Sequence, residues 1–373
     1  MDATRLTDPA FWLDPQPIAM GDSALTTWCV EVPALAGHIL FRTSGSTGQQ
    51  KWIALSKDAL LLSAATVNRH LGVEVDSCWG LSLPIHHVGG FGVAARSYEA
   101  ACRMARFDRK WDPATFADWI ASEGVTHLSL VPTQVHDLVA RGDRSPASLK
   151  AIVVGGGRLE QALGQAARDL GWPVLASYGM TEAGSQIATQ SLEALRQTYS
   201  PEPLPLLDPW NVKTDGDQRL FIKGPLLFTG TVTFLDGDWM WSPRESEWLA
   251  TGDRAWIAER ELTPLGRMDT LVKVLGELVS PDEIERELIE LSRGQLSPGT
   301  FAIVAVPDLR AGHRLVPVMA VKENLFGFQL IVDCYNAEAP GFRRLATPFA
   351  IAEMPLTELG KIRRSELARM IQP

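Results

Sequence analysis

Between about residues 110 and 180, short apolar runs alternate with helix signals. This alternation restricts the possible fold more than any other feature of the chain. Asp112-Pro113 supplies a capping carboxylate and a proline at the first helical position, where the missing N–H would be unpaired anyway. Phe116, Trp119 and Ile120 then share one helical face. Thr126 to Val131 reads as a buried strand, a short helix follows Pro132, and Ala151 to Val154 reads as a second strand. Gly155-Gly156-Gly157 leads into a helix over about Arg158 to Leu170, and Val174 to Ser177 is a third strand. Strands alternating with helices predict a parallel sheet in an α/β fold. Ligands of such sheets bind beyond the carboxyl ends of the strands. The glycine triplet and the segment after Ser177 fall there.

The rest of the chain has a different texture. Pro201 to Pro209 is proline-rich and expected to be irregular. From Leu220 onward short strands are punctuated by turns such as Asp236-Gly237-Asp238. Ser280-Pro281-Asp282-Glu283 has the form of a capping box with proline at the first helical position, and Ile284, Leu288 and Leu291 follow on one face. Strands are expected at Phe301–Val306 and Val318–Val321. The pattern predicts a large domain over residues 1–267 and a small α+β domain over 268–373.

A formal net charge of −9 without a basic stripe argues against a nucleic-acid partner. Cys29, Cys78, Cys102 and Cys334 are scattered, with neither paired nor metal-binding spacing. Reduced thiols in a cytoplasmic protein are therefore expected. No stretch approaches the ~18 apolar residues of a membrane helix, and Met1 to Pro17 lacks an apolar signal core.

Thr43-Ser44-Gly45-Ser46-Thr47-Gly48-Gln49-Gln50-Lys51 is the first segment with chemical content. Its glycines let backbone N–H groups approach phosphate, while Thr43, Ser44, Ser46, Thr47 and Lys51 add side-chain donors. A helix start follows at Ser56. The spacing is not that of a Walker loop, and taken alone the segment also reads as a solvated turn.

This segment resembles the phosphate loop of the adenylate-forming superfamily of acyl-CoA synthetases, adenylation domains and luciferases. Gln50 stands where that family usually has proline. Six further segments resemble family motifs in the same order. Ser177-Tyr178-Gly179-Met180-Thr181-Glu182 resembles the adenine and metal motif. The resemblance implies Ser177 and Gly179 beside the nucleotide, Tyr178 against adenine, Thr181 on the α-phosphate and Glu182 on Mg²⁺. Gly155 to Gly157 resembles the adenine-lining loop, with Gly156 and Gly157 at the nucleotide. Thr251-Gly252-Asp253 resembles the ribose motif, Asp253 accepting from both hydroxyls. Gly266-Arg267-Met268-Asp269 resembles the hinge, Arg267 reaching the ribose and Asp269 serving as pivot. Lys273 to Gly276 resembles the loop that enters the site for thioester formation, and Pro355 to Lys361 the segment carrying the adenylation lysine. The resemblance spans residues about 40 to 367. It implies ATP, Mg²⁺ and coenzyme A as reactants and cofactor. It also implies an N-terminal domain of mostly parallel sheets flanked by helices with a distorted barrel-like part, and a mobile C-terminal domain. Only 42 residues precede the phosphate loop, so part of the usual amino-terminal subdomain is expected to be absent or shrunken.

Leu83-Pro84-Ile85-His86-His87-Val88-Gly89-Gly90-Phe91-Gly92-Val93-Ala94-Ala95-Arg96 is similar to the matching segment of o-succinylbenzoate–CoA ligases of menaquinone biosynthesis. His87 and Arg96 fall on that subgroup's positions, and Ser185-Gln186-Ile187 also resembles it. A buried guanidinium needs an anion, so Arg96 in an acyl pocket suits an acid with a second carboxylate. The bland alternatives are a surface arginine and packing histidines. His87, Arg96, Gly179 and Ser185 are the expected substrate residues. Two other functions stay open: a ligase for another aromatic or short-chain acid, and a degenerate nucleotide- or acyl-binding protein. The partners expected are the acid, ATP and CoA; a homodimer is left open.

Overall fold

The computed structural model describes residues 3–44, 50–297, 299–321, 324–357 and 362–371, and the counts below refer to these. The chain divides into two compact units. One comprises residues 1–213, 221–249 and 257–263; the other comprises 214–220, 250–256 and 264–373.

In the first unit the predicted alternation becomes a six-stranded sheet. Its order is Arg103–Arg106, Cys78–Leu81, His127–Leu130, Ala151–Val154, Val174–Met180 and Ser185–Thr189. The first five strands run parallel, with His127 opposite Ala151 and Ile152 opposite Val174. The helix Pro113–Glu123 begins as its sequence demands: the Asp112 carboxylate accepts from the N–H groups of Ala114 and Thr115, and Gly124 ends it at φ 59°. The third predicted strand runs on to Met180 instead of stopping at Ser177. The antiparallel last strand pairs with it, supplying hydrogen bonds where the parallel neighbour has ended. A second sheet has the order Ile18–Ala19, His38–Ser44, Gln50–Ser56, Gly230–Leu235, Asp238–Pro243. Lys51 lies at the start of its third strand, opposite Thr43. Ser56 caps the helix Lys57–His70 through the N–H of Ala59.

His127 is fully buried in this sheet. Its Nδ1 lies 2.8 Å from Thr126 Oγ1 and its Nε2 3.4 Å from Leu71 O. Burial pushes its pKa down from 6.5 to about 4; the Leu71 bond opposes this and Lys150 reinforces it. The unfolded chain therefore binds the proton first, so stability is lost as pH falls from about 6.5 through about 4. A depression of that size corresponds to on the order of 3 kcal/mol. Chemical denaturation at pH 7 and pH 4 should show His127→Gln losing much less than the unmodified chain over this interval.

The second unit contains a three-stranded sheet of Phe301–Asp308, Gly312–Ala320 and Phe349–Ile351, with helices Pro281–Leu291, Leu325–Glu338 and Arg364–Met370. The second of these strands begins earlier than predicted. Its polar start, Gly312-His313-Arg314, is recruited by hairpin pairing to Asp308, Pro307 and Val306. Arg364 is held by both oxygens of Glu285 at 2.7 Å and by Asp282 Oδ1 at 2.6 Å. The other Asp282 oxygen accepts from Thr270 Oγ1 at 2.9 Å.

All four cysteines are free thiols. Among the described residues no helix is long and apolar enough to cross a membrane.

Candidate active site

The carboxyl ends of the parallel strands carry the first cluster. After Val154, the Gly155 N–H donates to Leu130 O, and Gly156 turns the chain at φ 78°. Ser177 Oγ donates to Val154 O at 3.0 Å, so the Gly155–Gly157 loop and the Ser177 segment are neighbours at adjacent strand ends. Beyond Ser177 the strand bulges between Tyr178 and Gly179. A Cβ built on Gly179 would run into the carbonyl oxygen of Ser185, so this crossing accepts only glycine. Thr181–Ala183 forms a single 3-10 turn, held by Phe228 N–H donating to Glu182 O at 2.9 Å. Ser63 Oγ donates to Gly184 O at 3.2 Å. The strand Gln50–Ser56 packs against this turn. Tyr178, Thr181 and Glu182 are half-buried. Ser46, Thr47 and Lys361 lie outside the described residues, as does the side chain of Ser44.

The second cluster is built around Arg96, on the helix Val88–Glu99. The surface reading of this arginine is wrong: it is 2% exposed. Nη1 donates to Ser129 Oγ at 3.0 Å and Nη2 to Ser185 Oγ at 3.3 Å. The guanidinium carbon lies 5.2 Å from the centre of the Trp79 ring. No carboxylate among the described residues forms an ion pair with it. Burial pushes its pKa down to about 10, so it stays cationic at neutral pH. A buried cation with only neutral partners retains most of its desolvation cost. Such a group is poised for an anion. Ser185 itself sits at φ 124°, a conformation that a residue with a Cβ rarely adopts and that collects at functional sites. His87 is the N-cap residue of the same helix, its ring 4.4 Å from that of His86.

Ser129 and Trp79 were not singled out in the sequence. Ser129 lies on a strand read only as buried, and Trp79 lies on Cys78–Leu81, a strand not expected from the sequence. The one available signal was a hydroxyl inside the apolar run His127–Leu130.

In the second unit, Arg267 forks onto Asp269 with two 2.8 Å bonds and reaches Asp253 Oδ1 at 3.3 Å. A Cβ on Gly252 would lie 2.7 Å from Arg267 Nη2, which accounts for glycine between Thr251 and Asp253. Thr251 Oγ1 donates to Leu220 O at 2.8 Å, and the Asp253 N–H donates to Thr251 Oγ1 at 3.1 Å. Three residues from two predicted motifs therefore form one polar group. Lys273 and Gly276 belong to the hairpin Val272–Val274/Glu277–Val279, turned by Leu275 at φ 53° and Gly276 at φ 90°. The hairpin is tied to the neighbouring sheet by Leu275 N–H donating to Ala311 O.

The ordered segments and the fold define an AMP-binding enzyme. The model of that family, described as "AMP-binding enzyme", matches residues 38–217, and the chain belongs to it. Its relatives include 2-succinylbenzoate–CoA ligase of Escherichia coli, 32% identical over 284 residues, covering 74% of this chain and 57% of the relative. The Bacillus thuringiensis subsp. konkukian protein of the same name is 30% identical over 342 residues, covering 88% and 69%. A variant of E. coli MenE with bound OSB-AMS superposes with a TM-score of 0.70 at 28% identity, covering 90% of this chain and 68% of that one. The chain thus spans little more than half the length of the first of these relatives.

Proposed function

We propose that this chain activates a carboxylic acid with ATP, releases pyrophosphate, and transfers the acyl group to coenzyme A. The acid carries two carboxylates, and o-succinylbenzoate, as in menaquinone biosynthesis, is the reading adopted. The observation that carries this is the buried Arg96, whose charge, among the described residues, meets serine hydroxyls and an indole face. One carboxylate is activated and the other neutralises Arg96. Ser185 completes that end of the pocket, and Gly179 and His87 line it.

A carboxylate is a poor electrophile until it gains a leaving group. Lys361 neutralises charge where the carboxylate approaches the α-phosphate. Thr181 donates to that phosphate, and Thr43, Ser44, Ser46, Thr47 and Lys51 cradle the phosphates beyond it. Tyr178 lies on adenine, flanked by Gly156, Gly157 and Ser177, and Asp253 with Arg267 takes the ribose. Mg²⁺ held by Glu182 would supply charge neutralisation at the phosphates. It binds through one or two carboxylates plus phosphates and water, so the half-buried Glu182 suffices on the protein side. Among the described residues no cluster of three metal-ligating side chains exists. Residues 268–373 then turn about Asp269, and the Lys273–Gly276 loop replaces Lys361 for attack by the CoA thiol. The partners on this reading are small molecules, the setting is cytoplasmic, and light scattering reports whether two copies pair.

ATP–pyrophosphate exchange across aromatic acids with one and with two carboxylates tests the reading. Exchange is expected to be highest, by roughly tenfold or more given the worth of a charged hydrogen bond, with the dicarboxylic acid. Equal exchange with both would remove the role of Arg96, and exchange with neither would remove the activity.

A further inference from the structure

Side chains on a helix lean toward its N-terminus, so the Arg96 side chain runs back over residue 92, one turn earlier. That residue is glycine, which a helix interior disfavours by about 1 kcal/mol relative to alanine. A Cβ there would lie 3.3 Å from Arg96 Nη2 and 3.8 Å from Ser185 Oγ. It would stand beside the two groups on that edge of the site.

Trp79 is fully buried and its indole N–H donates to Asn68 Oδ1 at 3.1 Å. Asn68 Nδ2 donates to the backbone carbonyl of Arg96 at 2.9 Å and to Glu99 Oε2 at 2.7 Å. One buried amide thus fixes both the ring behind the guanidinium and the backbone that carries it. The His127 ring packs on the same indole, 5.3 Å between centroids. The groups that touch the guanidinium, Ser129, Ser185 and Trp79, are uncharged. They hold its direction without satisfying its charge, so that capacity is left for a ligand.

We propose that Gly92 and the Asn68-held Trp79 are specificity-determining positioning residues, fixing the Arg96 guanidinium and keeping its Nη2 edge open to the carboxylate that is not activated. This rests on the dicarboxylate reading above.

The test compares two acids of the same ring system, one with a single carboxylate and one with two, by ATP–pyrophosphate exchange on the full chain. Gly92→Ala should keep or raise the thermal midpoint, because alanine is the better helix former. Its ratio of kcat/KM for the diacid over the monoacid should fall roughly tenfold or more, mainly through KM, as expected for one misdirected charged hydrogen bond. Trp79→Leu should lower the ratio likewise, while Trp79→Phe, which keeps an aromatic face, should retain most of it. A Gly92→Ala ratio equal to that of the unmodified chain overturns the inference. So does a Trp79→Leu variant that slows both acids equally, since that is what a purely structural role gives. An unmodified chain without preference for the diacid would instead sink the dicarboxylate reading, before any variant is compared.

Discussion

Replacing Arg96 by methionine is expected to lower kcat/KM for the dicarboxylic acid by roughly 100-fold, the worth of two charged hydrogen bonds. The same change should leave the thermal midpoint unchanged or raise it. The two effects have opposite signs for one reason. In the free protein the guanidinium is buried and, among the described residues, meets Ser129, Ser185 and the face of Trp79. Those partners recover part of its desolvation cost but supply no counter-charge, and replacing a buried charge by an apolar chain of similar volume is often neutral or stabilising. In the proposed complex the same cation would gain a carboxylate in a water-poor site, where such a pair is strongest. Steady-state kinetics with a thermal melt on one sample checks both. A lower midpoint with full activity would mean that Arg96 is a structural residue.

Gly179→Ala is expected to destabilise the chain by about 3 kcal/mol or more, among the largest single-residue effects, and to abolish ATP–pyrophosphate exchange. The added Cβ meets the backbone oxygen of Ser185, and backbone cannot rotate aside as a side chain would. Relief requires opening the bulge between Tyr178 and Gly179, which shifts Tyr178, Thr181 and Glu182 together. Gly216 has open space around it and no left-handed φ. Gly216→Ala is therefore the control, expected within about 0.5 kcal/mol of the unmodified chain. Denaturant titration of the two variants reads the contrast, and equal stabilities would remove the steric argument.

Local rules made much of the fold legible. Asp112-Pro113 and Ser56 start helices where their side chains cap them, and Ala151–Val154 is a strand with the predicted ends. Arg96 could be picked out because Leu83 to Arg96 resembles the matching segment of o-succinylbenzoate–CoA ligases, and a buried guanidinium calls for an anion. What escaped was much of what is set by partners distant in sequence. Ser129 meets Arg96 across 33 residues and Asn68 reaches Glu99 across 31, while Ser185, 89 residues from Arg96, was expected beside it only through the resemblance. Periodicity reports only that such positions are buried. The strained backbone of Ser185 was equally invisible, because the residue type does not announce a φ of 124°.

The Arg364 clasp has a mechanical consequence. Glu285 and Asp282 grip the last helix, and Asp282 also takes the hydroxyl of Thr270, one residue beyond the assigned pivot at Asp269. In the rotation proposed about Asp269, these bonds would carry the tail helix and the Pro281–Leu291 helix together as one lever, so a few degrees at one backbone position would become a displacement proportional to the arm's length.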